Sequence, residues 1–315
     1  MLRLVLNRLL WSVVLLLVVS AIVFVLVSLT PGSVAAEILG PTAATPENVA
    51  ALNAKLGLDK PFYVQYVTWL GHAVRGDLGT SLFTGQSVAD TLNGRIGATV
   101  SLMAVTTLVV TIIGVLLGVV SALRKGGGGA VIDVGSLLAY SLPDFWMALV
   151  LVATFSVGLG LLPSFGFTPF GDDPGQWAYF LVLPVAALAL NGVARIAKQA
   201  RAAMTATLGR DYVRVLLANG FTRRSVIFKH ALRNAAIPIT SAIGLAFTGL
   251  ASGTVLVEKI FAIPGIGSVA VQATTQHDLP VVVGAALYFT VIVVVVNLIV
   301  DLAYGWLNPR ARAFA

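Results

Sequence analysis

Six apolar stretches in the chain are each about as long as a helix needs to be to cross the hydrocarbon core of a bilayer. Only 10% of the residues are charged, whereas a soluble domain has roughly 25%. Much of the surface must therefore face lipid. The sequence predicts an all-α membrane protein with six transmembrane helices, at residues 9–29, 98–123, 135–159, 178–199, 236–257 and 281–305.

The first stretch, residues 9–29, follows Arg8 and contains no charged residue. The apolar core of a signal peptide has roughly 7–15 residues, so we expect this longer stretch to be retained as an anchor. The third and fourth stretches contain Pro143 and Pro184, and the fifth begins near Pro238. Neighbouring helices can satisfy the backbone groups that such prolines free within a membrane.

The basic residues of the loops predict the orientation of the six spans. With six crossings both termini lie on one side, and that side carries fifteen of the twenty Lys and Arg residues. Nine of the thirteen acidic residues lie on the opposite side. Because cytoplasmic loops are enriched in Lys and Arg, we expect both termini in the cytoplasm. The same division explains the net charge of +7 better than nucleic-acid binding does.

Residues 31–97, between the first two spans, form the predicted extracytoplasmic segment. Thr45 is followed by proline and then by apolar residues at helical spacing, which predicts a helix with Thr45 as its N-cap. A second helix is expected around Tyr66 and Trp69, whose rings favour a membrane interface. We expect a small cap on the membrane rather than an independent domain.

The polar and small residues within the spans are few. Asp144 and Asp301 are the only acids near membrane depth, so the chain lacks the ionisable relay that proton- or ion-coupled transporters generally carry. A structural role for Asp144, at a helix broken by proline, and a role in a transport pathway stay equally open. Five glycines favour close packing between membrane helices, namely Gly114, Gly118, Gly244, Gly249 and Gly253.

Most of the basic charge lies in one stretch between the end of the fourth span and the start of the fifth. This stretch contains nine basic residues and a single acid, Asp211. Apolar residues at helical spacing end at Gly220 and resume after it, which predicts a helix, a glycine turn and a second helix. A basic helix lying on acidic headgroups would give the same pattern. The nine are Arg195, Lys198, Arg201, Arg210, Arg214, Arg223, Arg224, Lys229 and Arg233.

This stretch resembles the cytoplasmic loop of ABC importer permeases, written EAA-x3-G-x9-I-x-LP, and in particular its form in the dipeptide, oligopeptide and nickel group. The match is carried by Asp-Tyr-Val-Arg at 211–214, by Gly220 and by His-Ala-Leu-Arg-Asn at 230–234. The Glu-Ala-Ala of the motif is Arg-Val-Leu at 214–216 here, and its final proline is Arg233.

Further matches to this group occur in the same order along nearly the whole chain. Asp144 stands where a small residue is usual, and Pro31-Gly32 lacks the acid that often follows. The matching segments are Gly-Leu-Asp-Lys-Pro at 57–61, Gly-Asp-Leu-Gly at 76–79 with Ser81, Ser-Leu-Pro-Asp-Phe-Trp at 141–146, residues 258–267, Asn297-Leu298 with Asp301, and Asn-Pro-Arg at 308–310.

The resemblance implies a type I ABC importer-like permease of the bacterial inner membrane. It implies that residues 1–97 form the first helix and extracytoplasmic segment, and residues 98–310 a five-helix core with the coupling loop 201–234. The implied partners are a second homologous permease, two ATPase subunits or domains that bind ATP and Mg²⁺, and an extracytoplasmic binding protein; this chain would bind no cofactor. Di- or oligopeptides are the expected substrates, with nickel chelates, glutathione or another small solute left open.

The resemblance also places two sets of functional residues. A cytoplasmic coupling helix pair would dock on the ATPase, with Gly220 permitting a tight turn and Phe221 filling an apolar pocket. An external mouth would receive the binding protein, and a simple re-entrant turn is an equally open interpretation of its residues. The coupling residues are Asp211, Ala218, Asn219, Gly220, Phe221, Arg223 and Arg224, and the residues of the mouth are Glu258, Phe261, Pro264 and Gly265.

Other classes of function fit the sequence less well. An autonomous channel or secondary transporter for a small solute is the main alternative, but no inverted repeat with matching broken helices is evident. A membrane scaffold without a transport role would need neither the proline-broken spans nor the glycines. Enzyme motifs such as HExxH and GxSxG, and the GxxxxGK[ST] phosphate loop, are absent from the sequence. The four glycines at 126–129 predict a flexible turn rather than a phosphate site. The three histidines are isolated, so we expect no metal site.

Overall fold

A computed structural model of the chain describes residues 2–30, 32–124, 135 and 142–307. These residues form helices and loops without a strand, apart from an isolated bridge between Thr80 and Ser87. The features predicted at Pro31, at residues 126–129, at Ser141 and at residues 308–310 lie outside the described residues. The prediction of an all-α protein is confirmed.

Twelve helices follow one another in the described residues, two of them joined to π-helical turns. They are α1 (Leu2–Leu29), α2 (Val34–Ala43), α3 (Pro46–Leu56), α4 (Phe62–Ala73), α5 (Val88–Leu123), α6 (Asp144–Leu151, continued by a π-helical turn at Val152–Gly158), α7 (Pro174–Leu208), α8 (Asp211–Ala218), α9 (Arg223–Ser225, continued by a π-helical turn at Val226–Ala231), α10 (Leu232–Ile260), α11 (Ile266–Thr275) and α12 (Leu279–Leu307).

Five helical runs in the described residues are long and apolar enough to cross a membrane, and α6 with its π-helical turn is a shorter apolar helix. In order along the chain these six correspond to the six predicted stretches. The expectation that Pro143 lies inside the third span is wrong, because Pro143 is extended (φ −64°, ψ 141°) and α6 begins after it. Pro184 and Pro238 do lie inside α7 and α10.

The segment between the first two spans contains three short helices. Thr45 Oγ1 accepts a hydrogen bond from the Asn48 backbone N–H, which confirms Thr45 as the N-cap of α3. Gly57 ends this helix in the left-handed conformation, with φ 70°. The second predicted helix is α4, where Tyr66 and Trp69 pack against Phe24 of α1 with ring centroids 5.3 and 6.4 Å from it.

The chain divides into two compact units, each built from segments distant in sequence. The first unit comprises Met1–Arg8, Val100–Ile263 and Val293–Ala315, and the second comprises Leu9–Thr99 and Pro264–Ile292. The second unit thus takes residues from both predicted domains. The boundary proposed between residues 97 and 98 stays a prediction.

In the first unit, glycines allow α5 and α7 to pack closely. A Cβ added at Gly118 would lie 2.5 Å from the carbonyl oxygen of Ala197 and from the Cβ of Ala200. A Cβ added at Gly114 would lie 2.8 Å from Ile196. Such distances leave no room for a side chain, so these two glycines serve helix packing, as predicted.

Candidate functional site

The candidate site is the helix pair α8 and α9 with the turn between them. Gly220 adopts φ 85°, a left-handed conformation that residues with a Cβ rarely take. Its backbone N–H donates to the Leu217 carbonyl at 3.1 Å, and the Phe221 N–H donates to the Leu216 carbonyl at 3.2 Å. These two bonds form a Schellman motif. The predicted helix, glycine turn and helix are therefore confirmed.

A second cap starts the helix that follows the turn. Thr222 is extended (φ −64°, ψ 142°), and its side chain accepts a hydrogen bond from the Ser225 N–H at 3.4 Å. Arg223 and Arg224 occupy the first turn of α9, and both are exposed. The π-helical turn continues directly into α10. The chain thus leaves the turn with its backbone already helical and connected to a long membrane helix.

Apolar side chains anchor this helix pair on the core of the first unit. Val213 of α8 is buried. Ile227 and Ala231 of the π-helical turn belong to a buried cluster that also contains Ile196 and Met204 of α7. The π-helical turn is therefore packed in the same dense core as α7 and the start of α10.

The pair also exposes large apolar side chains. The exposed fractions are 56% for Val215, 45% for Leu217, 45% for Phe221 and 56% for Phe228. These residues stand among exposed arginines in a polar segment, so the pair presents apolar and cationic side chains together on its surface.

A groove of about 460 Å³ runs beside these side chains. Asn234 Nδ2 donates a hydrogen bond of 2.8 Å to the Tyr212 hydroxyl, which links the start of α10 to α8. The Phe221 and His230 rings meet edge to face with centroids 5.7 Å apart. The groove is both cationic and apolar, and it is lined by Tyr212, Val215, Leu216, Lys229, His230, Arg233 and Asn234.

The structure brings most of the predicted coupling residues into this one turn. Ala218, Asn219, Gly220, Phe221 and the two arginines are all exposed there. Asp211 lies at the opposite, N-terminal end of α8 and faces Arg214, with Oδ1 3.7 Å from Nη1. Arg233 and Asn234, which line the groove from α10, lie in the 230–234 stretch that carries the family resemblance, but their place in a groove beside α8 was not predicted.

The residues predicted to form an external mouth follow one another at the end of α10. Glu258 and Phe261 are buried, with 0% and 2% exposed, whereas Pro264 is exposed and Gly265 is buried. The Phe261 carbonyl accepts a hydrogen bond of 3.0 Å from the Gly166 N–H. Within this chain, Glu258 and Phe261 are therefore part of the interior, and their role at a mouth stays a prediction.

A polar cluster joins α6 to α7 within the first unit. Asn191 Nδ2 donates to Asp144 Oδ1 at 2.6 Å and to the Leu142 carbonyl at 3.0 Å. Arg195, one helical turn after Asn191, is close enough to interact electrostatically with Asp144. A Cβ at Gly253 of α10 would lie 2.8 Å from Asp144 Oδ2, so this glycine leaves room for the carboxylate. The i, i+4 spacing of Asn191 and Arg195 was the available sequence signal.

Two of the three histidines each lie near one carboxylate. His72 Nδ1 lies 3.6 Å from Asp77 Oδ2. His277 Nδ1 lies 3.1 Å from Glu37 Oε1, and His277 holds a left-handed conformation with φ 56°. Each faces one carboxylate, and the described residues contain no group of three metal-binding side chains.

Two family models match the chain. Residues 114–313 match the model described as binding-protein-dependent transport system inner membrane component. Residues 1–103 match the N-terminal model of the same membrane component. Together these matches extend over most of the sequence.

Individual relatives align along nearly their whole length. A putative peptide transport system permease protein of Brucella abortus is 37% identical over 313 residues, covering 99% of each chain. The di/tripeptide transport system permease protein DppB of Pseudomonas aeruginosa is 36% identical, covering 93% of this chain and 94% of its own. The methionine ABC transporter MetNI, solved in inward-facing conformations, contains a chain that shares the fold, with TM-score 0.52, 16% identity, and coverage of 69% of this chain and 96% of that one.

Proposed function

Because the chain belongs to the family of binding-protein-dependent transport system inner membrane components, we propose that it is the permease subunit of an ATP-driven importer of di- and oligopeptides. The choice of peptides is supported by relatives named for peptide transport that are 36–37% identical over nearly the whole chain. The chain forms the translocation path together with a second, homologous permease.

In this proposal the chain is not itself an enzyme. Two ATPase subunits or domains bind ATP and Mg²⁺ and hydrolyse the nucleotide, and an extracytoplasmic binding protein delivers the peptide. The complex lies in the bacterial inner membrane. Both termini of this chain are cytoplasmic, which is supported by the concentration of Lys and Arg in the loops on their side.

The exposed turn around Gly220 is the observation that carries the proposal. Its geometry is fixed by the Schellman bonds on one side and the Thr222 cap on the other. The Phe221 side chain is 45% exposed, so much of its apolar surface is available to a partner. A short, rigid element of this kind can seat in a partner and move with it as one body.

The anchoring of the turn explains how ATPase motion would reach the translocation path. Ile227 and Ala231 connect the turn to α7, and the π-helical turn connects it to α10. Both helices cross the predicted membrane region. Closure of the ATPases would displace the turn, and the turn would rock these two helices together.

The experiment is peptide uptake into proteoliposomes that contain the complete complex, with the loaded binding protein outside and ATP inside. We expect uptake that depends on both. Gly220→Asp should abolish uptake and the stimulation of ATP hydrolysis by the binding protein, while insertion into the membrane is retained. The substitution strains a left-handed position and places a negative charge where an acidic partner docks.

Gly209→Asp is the matched control, because Gly209 has helical backbone angles (φ −77°, ψ −8°). A Cβ added at Gly209 would have no neighbouring atom closer than 3.6 Å. This variant should retain uptake. If the Gly220→Asp complex retained uptake and the stimulation of ATP hydrolysis by the binding protein, the assignment of this turn as the ATPase docking site would be wrong. Uptake by this chain alone, without ATP or ATPase subunits, would favour a channel or secondary transporter instead.

A further inference from the structure

A cavity of about 140 Å³, lined by both polar and apolar residues, lies within the second unit. Its wall combines the loop at residues 79–87, the start of α5, the helix α11 and the turn before α12. Gln86, Arg95, Gln272 and Gln276 all contribute to the lining, and each carries side-chain N–H donors. Donors from three separate segments of the chain therefore surround one small space.

Arg95 has no ion-pair partner within the part of the chain that the structure describes. Its side chain is nevertheless partly buried in the cavity wall. A guanidinium is always charged, and withdrawing a charge from water without a partner is costly. An arginine held in this way indicates a site that an anion completes.

Asp278 also lines the cavity, but both of its oxygens are already engaged by the loop. Oδ2 accepts a hydrogen bond of 2.5 Å from Ser81 Oγ, and Oδ1 accepts one of 3.3 Å from the Leu82 N–H. Ser81 Oγ in turn accepts the Thr84 N–H at 3.1 Å. Asp278 therefore shapes the loop that forms the wall, and it lies beyond ion-pair distance of Arg95.

We propose that this cavity binds the C-terminal carboxylate of a peptide at the extracytoplasmic face. Arg95 provides the two parallel N–H donors that a carboxylate accepts, and the amides of Gln272 and Gln276 supply further donors. The cavity holds only the end of a peptide, so recognition is independent of peptide length. The proposal rests on the peptide transport and the orientation proposed above.

The test uses the purified complex of both permeases and the ATPases, without the binding protein. Equilibrium binding is measured for radiolabelled trialanine and for its C-terminal amide. Since hydrogen bonds to charged groups are the stronger ones, we expect the acid to bind about ten-fold or more tightly than the amide. Arg95→Gln should lower the affinity for the acid to that for the amide, and it should leave the affinity for the amide unchanged.

Two further variants keep the test interpretable. Arg75→Gln changes an exposed arginine of the same segment that does not line the cavity, and it should leave both affinities unchanged. Arg95→Lys keeps the charge but loses the planar fork, so it should retain part of the preference for the acid. Equal binding of acid and amide by the wild type, or an unchanged preference in Arg95→Gln, would overturn the proposal.

A second measurement identifies the source of the carboxylate. In this measurement, binding protein loaded with the acid or with the amide is added to the wild-type and Arg95→Gln complexes, and the stimulation of ATP hydrolysis is compared. If Arg95→Gln reduced this stimulation equally with the acid and with the amide, the carboxylate bound by Arg95 would belong to the binding protein. That result would overturn the assignment to the peptide. Failure of the proposed function is distinct, because the wild-type complex would then transport neither trialanine nor its amide.

Discussion

Ser81 Oγ donates a hydrogen bond of 2.5 Å to Asp278 Oδ2 across 197 positions of sequence. Both residues are buried, with 7% and 2% exposed. The bond fastens the loop before α5 to the turn before α12, two segments of the second unit that meet only through folding. A hydrogen bond to a buried carboxylate is among the stronger ones in a protein, so this contact fixes the shape of the loop.

We predict that Ser81→Ala destabilises the chain by about 1–3 kcal/mol, because it leaves a buried carboxylate oxygen without its donor. The measurement is thermal unfolding of the purified complex, combined with limited proteolysis of the 81–87 loop, which should be cut faster. Ser28→Ala is the control, since the exposed Ser28 hydroxyl only bonds the Val25 carbonyl of its own helix. Equal melting temperatures for Ser81→Ala and the wild type would contradict the prediction.

The packing of α5 gives a second prediction from two glycines of one helix. Gly118→Ala should destabilise the chain by about 1–3 kcal/mol, because its new Cβ would overlap Ala197 and Ala200 of α7. Gly97→Ala should be neutral or stabilising by up to about 1 kcal/mol, because Gly97 has open space around its Cβ position. Thermal unfolding of the two variants checks the difference. If both changed stability equally, the close approach of α5 and α7 would be refuted.

The exposed turn gives a third prediction, which separates docking from folding. Phe221→Ala should lower the affinity of the permease for its ATPase subunits by about ten-fold or more, as expected for an aromatic residue at the centre of an interface. Its effect on thermal stability should be small, because the side chain is 45% exposed. Affinity is measured by titrating detergent-solubilised permease pairs with the ATPase subunits.

Phe62→Ala is the control for this titration, because Phe62 is similarly exposed (52%) but lies in α4 of the predicted extracytoplasmic segment. It should leave the affinity unchanged. A loss of affinity of the same size in both variants would indicate a general effect of removing aromatic surface, and it would argue against a specific role of Phe221.

The features that the sequence predicted correctly are those set by local chemistry. Uninterrupted apolar residues over 20 or more positions have few structures available besides a membrane helix. The Thr45 cap and the Gly220 turn each depend on the residues beside them, and both were located correctly. Pro143 was misplaced because a proline fits both inside a membrane helix and directly before one, and the sequence around it does not distinguish the two.

The parts of the site that the sequence missed depend on contacts between distant segments. Asn191 is one polar residue in an apolar stretch, and only folding places it beside Asp144. His277 pairs with Glu37 across 240 positions, which no local pattern indicates. The turn at Gly220 was located because its residues are consecutive. The cavity around Arg95 was not, because its wall comes from separate segments.

The Asp144 cluster supports a final prediction on the role of that residue. If Asp144 is structural, its bond with Asn191 holds α6 on α7, and Asn191→Ala should destabilise the chain by about 1–3 kcal/mol by leaving the carboxylate without this donor. Asp144→Ala should then remove most of the cost of Asn191→Ala. A double-mutant cycle measured by thermal unfolding should give a coupling energy of about 1 kcal/mol or more. Additive effects on stability, together with a loss of transport in Asp144→Ala alone, would instead assign Asp144 to the translocation path.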